Sequence, residues 1–194
     1  VEAASQDVCV LLGPGVNIKR SPLCGRNFEY FCEDPYLAGK MAAGYVRGIQ
    51  SEGVAACPKH FAANSQELRR MASDSVLDER TLREIYLTAF EIAVKEGHAK
   101  SIMSSYNVNN SIPDADDYDL LTDVTRGEWG FDGMVTTDWW TNGEHYKEVQ
   151  AGNDVKMATG FPERLMEALD KGILKRQDME ICARRILGLI LKLD

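Results

Sequence analysis

The sequence predicts an α/β protein, an incomplete (β/α)8 barrel of the TIM type carrying about five C-terminal βα units. Three observations point there. Short apolar runs of strand composition alternate with amphipathic helical stretches, the pattern of βαβ units around a parallel sheet. Each apolar run leads into a loop rich in polar or charged residues. The run "GMVTTDWW" ends in an aspartate, Asp138, with two tryptophans behind it. In barrels and open α/β sheets the C-terminal strand ends are where active sites are built. Asp is also a frequent helix N-cap, and from this stretch alone both readings stand. A closed barrel has eight units and takes about 250 residues. The 194 residues are therefore expected to form a single domain, the C-terminal portion of a barrel whose beginning is missing.

The elements follow in order. Residues 8–13, "VCVLLG", form the first β-like run, and a helix is expected over 37–52. The second run, 54–57, precedes the clearest helix, 78–95, with Asp78 as its cap and Gly97 as its stop. Leu82, Ile85, Ala89 and Ala93 share one face of that helix, with Arg83, Glu84, Glu91 and Lys95 turned away from it. Runs at 101–105, 134–137 and 154–157 complete the strands. The uncharged Met134-Val135-Thr136-Thr137 has the composition of a strand buried on both faces. Helices are expected over 163–171 and 178–193, the latter with a stripe of Cys182, Ile186, Leu189 and Leu193.

Composition narrows the function classes. With 44% apolar and 27% charged residues the chain is of ordinary globular type. Its 22 basic and 30 acidic residues give a net charge of −8, and no basic cluster occurs, which argues against nucleic acid and anionic membranes as partners. No apolar run approaches the roughly 18 residues a membrane span needs, and the first residues lack a signal-peptide layout. Five scattered cysteines without a CxxC pair suggest reduced thiols in a cytoplasmic setting. His60, His98 and His145 are isolated, so no metal or other cofactor is expected. There is no GxSxG, GxxxxGK[ST], GxGxxG after a strand, or HExxH motif, and Pro14 weakens "LLGPG" as a phosphate loop.

The polar residues at the strand ends form a coherent set. Asn17 and Arg26 follow the first run, and Lys59, His60 and Asn64, then Arg69 and Arg70, follow the second. Tyr106 and Asn107 follow the third, and Asp138 the fourth. Cations and amide or imidazole donors around one carboxylate suit a ligand dense in hydroxyls, with the cations depressing the pKa of Asp138. Each residue also has a plainer reading: Lys59 and His60 as solvated loop residues, Arg26 paired with Glu29 or Glu33, Tyr106 as core with a wet hydroxyl.

The segments "LLGPGVNIKRSPLCGRNFEYFCEDPYLAGK", "KHFAAN", "SDSVLDERTLREIYLTAFEIAVKEG", "SYNVNN" and "LLTDVTRGEWGFDGMVTTDW", in this order, resemble the β-glucosidase branch of glycoside hydrolase family 3. The resemblance covers nearly the whole chain. It implies retaining hydrolysis of terminal β-D-glucosyl residues through a covalent glycosyl-aspartate, with Asp138 as nucleophile. It also implies that Arg26, Lys59, His60, Arg70 and Tyr106 line the glycone subsite, and that Trp139, directly after the nucleophile, binds substrate by offering an apolar face to the pyranose ring.

Departures from the family pattern carry expectations of their own. A further glycone-holding aspartate belongs upstream of Val1, and the family's acid/base glutamate usually comes from a second α/β domain not found in these residues. That segment and domain are expected in cis or as a separate chain, in either domain order. Ala62-Ala63-Asn64 replaces the "KHFPGxG" motif of the N-acetylglucosaminide branch, which argues against it. Two function classes remain: a retaining β-glucosidase, or the barrel portion of one, and a non-catalytic carbohydrate-binding or scaffolding fragment. Glu128, Glu144 and Glu148 are the in-chain alternatives for the acid, without a supporting motif.

Overall fold

The computed structural model describes residues 1–193. A short helix, α1 (Glu2–Ser5), leads into strand β1 (Val10–Leu11), and helix α2 (Pro35–Gln50) returns the chain to β2 (Ala55–Ala56), parallel to β1. After β3 (Asp74–Ser75), one long helical passage is made of α3 (Glu79–Thr81), a π-helical segment (Leu82–Leu87) and α4 (Thr88–Lys95). It delivers the chain to β4 (Ser101–Ser104). A small hairpin, β5 (Val108–Asn109) and β6 (Ile112–Pro113), pairs with β3, and a second π-helical segment (Asp119–Glu128) precedes β7 (Met134–Trp139). Helix α5 (His145–Ala151), β8 (Val155–Met157), α6 (Pro162–Asp170) and α7 (Arg176–Leu193) close the described chain.

The parallel strands neighbour one another in chain order. β4, β7 and β8 form one sheet, β7 in the middle, with Ser101 opposite Met134 and Ser104 opposite Thr137. The extended residues after β2 bridge the two parallel groups: Phe61 N donates to Met103 O at 2.8 Å, Met103 N to Pro58 O at 3.1 Å, and Ser105 N to Phe61 O at 2.7 Å. Residues 134–137 of β7 are all buried, as expected of an uncharged central parallel strand, and so is Asp138 at its end.

The core lies between this sheet and the helices. Phe61 stacks edge-on against Phe90 of α4 at 4.9 Å and against Trp129 at 5.7 Å. α2 and α4 pack closely, and Gly39 makes this possible, because a Cβ there would lie 2.6 Å from Cδ1 of Ile92. Asp34 caps α2 by accepting from Leu37 N at 2.6 Å, with Pro35 at the first helical position. Asp78 caps α3 as expected, accepting from Thr81 N at 2.7 Å. The α7 stripe of Cys182, Ile186, Leu189 and Leu193 faces inward, with Leu189 buried beside Ala55 and Met134.

Two expectations need correction. Ile85 does not share the buried face of its helix: it is exposed, and Leu87 is buried instead. The π-helical segment is the reason, since an extra residue in the turn rotates the face. Directly after the first π segment and within the second, a threonine hydroxyl donates to the carbonyl five residues earlier, Thr88 to Arg83 at 2.9 Å and Thr125 to Leu120 at 2.8 Å, satisfying the widened turn. At the end of α4 the left-handed residue is His98, not Gly97. Gly97 is required by space, because a Cβ would sit 2.5 Å from Ala93 O.

No helix of the described residues is long and apolar enough to cross a membrane. The five cysteines are all free thiols.

Two substitutions in α2 should act with opposite sign. Gly39→Ala should cost about 1–3 kcal/mol through overpacking against Ile92. Gly44→Ala, at an exposed position with nothing within 4 Å of the new Cβ, should gain about 0.5–1 kcal/mol. Urea denaturation of the two variants checks both.

Candidate active site

Asp138 is carried by the last buried turn of β7, immediately beyond the Ser104–Thr137 pair. Its Oδ1 accepts from Trp139 N at 2.8 Å, and its Oδ2 has no hydrogen-bond partner among the described residues. His60 Nε2 lies 3.7 Å from that free oxygen. The segment paired to β4 carries Lys59 and His60, and the loop directly after β4 carries Tyr106. Three neighbouring parallel segments thus bring His60, Tyr106 and Asp138 to one end of the sheet.

The cations close the other side. Arg26 Nε and Lys59 Nζ share the carboxylate of Glu29, at 2.5 and 3.2 Å. Arg70 NH1 pairs with Glu67 Oε2 at 2.8 Å, and its guanidinium lies 4.4 Å from the centre of the Tyr106 ring. Arg26, Lys59 and Arg70 all act on His60. Burial first, and these three charges after it, pull the imidazole down to about 2, so His60 is neutral at pH 7. Tyr106 is pushed up to about 12, by burial and then by the charge of Asp138.

The expected depression of the Asp138 pKa is not what the structure shows. Burial raises the carboxyl above its ordinary value, outweighing the Trp139 N–H, Tyr106, Arg26 and Arg70, which all act downward. The cations are already paired with Glu29 and Glu67, whereas loss of water is immediate at a buried carboxylate. The sequence-expected residues Arg26, Lys59, His60, Arg70, Tyr106, Asp138 and Trp139 are otherwise gathered in one place, Trp139 half-buried beside Asp138. Arg69 is exposed.

The amides play another part than expected. Asn17 exchanges two hydrogen bonds with the backbone of His60, donating to His60 O at 2.8 Å and accepting from His60 N at 2.7 Å. Asn107 Nδ2 donates to Ala62 O at 2.8 Å. Both serve the scaffold and not an open surface. Of the in-chain glutamates, Glu148 is buried in an ion pair with Lys156 at 2.6 Å and accepts from Thr141 Oγ1. Glu128 pairs with Arg83 on the outer surface, and Glu144 is exposed. Among the described residues no group of three or more His, Cys, Asp and Glu is placed to hold a metal.

Sequence reasoning missed Tyr30, Glu67 and Asp114. Asp114 is fully buried and accepts from Ala62 N at 3.1 Å, Ser105 Oγ at 3.0 Å and Asn109 Nδ2 at 2.5 Å. It therefore joins the His60 segment, the Tyr106 loop and the hairpin. Burial raises its carboxyl well above the usual range. The signal available in the sequence, an Asp after Ile112-Pro113, is indistinguishable from a surface turn.

Residues 1–189 match the model of the glycosyl hydrolase family 3 N-terminal domain. Beta-glucosidase A of Butyrivibrio fibrisolvens is 59% identical over 87% of this chain and 20% of its own length. An exo-alpha-(1->6)-L-arabinopyranosidase of Bifidobacterium longum is 44% identical over 98% of this chain and 25% of its own. The structure of beta-glucosidase 3B from Thermotoga neapolitana in complex with alpha-D-glucose superposes with a TM-score of 0.96, at 45% identity, over 98% of this chain and 28% of that one. The chain thus spans about a fifth to a quarter of the length of the curated relatives it matches.

Asp114→Ala should cost about 2–3 kcal/mol in chemical denaturation, because buried donors lose their acceptor. Asp114→Asn should cost much less. The Asn109 amide, whose Oδ1 has no partner, can turn over to accept from the new NH2 group.

Proposed function

Because this chain belongs to glycosyl hydrolase family 3, we propose that it forms the glycone-binding part of a retaining β-glucosidase, with Asp138 as its nucleophile. The observation that carries the reading is the buried Asp138 carboxylate at a parallel strand end, one oxygen free and faced by His60 at 3.7 Å. The relatives' names favour a glycosidase over a non-catalytic binding fragment. In this reading residues 1–194 are the C-terminal portion of the family's catalytic barrel. Parallel strands paired in chain order, each followed by helix, support that architecture.

The chemistry follows from the charges. Asp138 attacks the anomeric carbon, forming a C–O bond to one carboxylate oxygen while the bond to the aglycone oxygen breaks. A carboxyl about 5–5.5 Å from the nucleophile protonates the departing oxygen and later takes a proton from the water that releases the sugar. We assign that acid to a segment outside these residues or to a partner chain, since Glu148 is held by Lys156, Glu128 by Arg83, and Glu144 is exposed. Arg26, Lys59 and Arg70 donate to glycone hydroxyls, His60 adds a neutral donor, and Trp139 offers an apolar face to the ring. Glu29 and Glu67 keep the three cations in place.

The test uses the full-length enzyme and a slow-reacting fluoro-glucoside. The label should map to the peptide carrying Asp138, and label on another carboxylate overturns the assignment. Asp138→Asn should remove nearly all turnover while keeping the fold. Arg70→Ala should lower kcat/KM by roughly thirtyfold, about 2 kcal/mol for one charge-assisted bond. It should also move the acid limb of the kcat/KM profile to higher pH. Asp138 is active only when ionised, its carboxyl is raised by burial, and Arg70 is among the charges that pull it back down.

A further inference from the structure

Beside the candidate site a line of polar groups runs inward from half-buried Arg70 and Glu67 to buried His60. Arg70 NH1 donates to Glu67 Oε2 at 2.8 Å, and Asn64 Nδ2 lies 3.5 Å from Glu67 Oε1 and 3.3 Å from Tyr30 Oη. Tyr30 Oη lies 3.2 Å from His60 Nδ1. Tyr30, Asn64 and His60 are all buried. We propose that Tyr30 is a positioning residue whose hydroxyl donates to His60 Nδ1, fixing the imidazole as the tautomer that carries its proton on Nε2, toward Asp138.

The direction of the line follows from what each group can do. A carboxylate only accepts, so the Asn64 atom facing Glu67 Oε1 is its NH2 nitrogen, while Arg70 donates to Oε2. Turning the Asn64 amide over would set its oxygen against a carboxylate oxygen with no proton between them. Asn64 Nδ2 therefore faces both Glu67 and Tyr30, and the phenol oxygen accepts from it. Tyr30 has one proton, and His60 Nδ1 is the acceptor left for it. With Nδ1 accepting, a neutral imidazole has its hydrogen on Nε2, 3.7 Å from the unpartnered Asp138 Oδ2. The opposite tautomer would turn a lone pair on that carboxylate.

Two further facts support this. The His60 backbone is held at both its N–H and its carbonyl by Asn17, which fixes where the ring starts. Burial and the charges of Arg26, Lys59 and Arg70 keep the ring neutral, the state in which a tautomer choice exists. Burial also raises the phenol of Tyr30, which keeps its proton available to donate.

The consequence for turnover rests on the β-glucosidase reading, whereas the tautomer does not, and the test separates them. Full-length protein carrying 15N-histidine is examined by NMR at neutral pH, with His60 identified as the signal lost in His60→Gln. We expect Nε2 to resonate as a protonated, pyrrole-type nitrogen and Nδ1 as an unprotonated acceptor. Tyr30→Phe should bring in the Nδ1–H form and lower kcat/KM on an aryl glucoside by about tenfold. Asn64→Asp should do the same to the nitrogen pattern from the other end of the line, giving a second route if Tyr30→Phe does not fold. A native His60 found as the Nδ1–H form or as imidazolium overturns the proposal, as does a nitrogen pattern unchanged by loss of the Tyr30 hydroxyl. A native Nε2–H pattern that shifts in Tyr30→Phe, in a protein that cleaves no glucoside, upholds the proposal and counts against the functional reading alone.

Discussion

The backbone hydrogen bonds between residues 58–61 and β4 are the constraint on which the rest of the site depends. Phe61 N to Met103 O and Ser105 N to Phe61 O set the height of His60 against the loop that carries Tyr106. The register of β4 on β7, Ser104 opposite Thr137, then sets Asp138 one residue above the last pair. A slip of one residue in either pairing would turn the alternating side chains to the opposite face. Phe61, directly after His60, locks the pairing from below through its contacts with Phe90 and Trp129. The same residues that build the core therefore aim the site.

Charge is arranged around that frame with little left uncompensated. Glu29 takes Arg26 and Lys59, Glu67 takes Arg70, and Asp138 is left with one backbone N–H on one oxygen. A cation already paired with a carboxylate projects a weaker field, so the loss of water around Asp138 wins and its pKa rises. The same competition has the opposite effect on His60, where burial and three positive neighbours both disfavour protonation. One environment thus raises an acid and lowers a base, the pattern that separates roles in sites running acid and base chemistry.

A second layer of polar groups is buried in support. Asp114 joins the His60 segment to the Tyr106 loop, Asn107 adds a bond to Ala62 O, and the Glu148–Lys156 pair holds Thr141 beyond Trp139. Groups like these are stable in a core only when their partners are present. Their partners here lie 15 to 52 residues away in the chain for the Lys156–Thr141 and Asp114–Ala62 bonds. In sequence Asp114 reads as a turn residue and Lys156 as one member of the 154–157 β-like run, so neither stood out.

The α/β class, the parallel strands, the cap at Asp78 and the inward stripe of α7 follow from local composition and periodicity, because each depends on neighbours within a few residues. The gathering of Arg26, Lys59, His60, Arg70, Tyr106 and Asp138 was legible for a related reason: in a parallel sheet the strand ends fall on one side, so residues just after successive strands meet. Tertiary structure alone decided the π-helical turns that exposed Ile85, the use of Asn17 and Asn107 as braces, the sign of the Asp138 pKa shift, and the line from Glu67 through Tyr30 to His60. Each of those depends on depth from water or on a partner distant in the chain. Neither quantity is written in the order of the residues, because both arise only when the elements pack together.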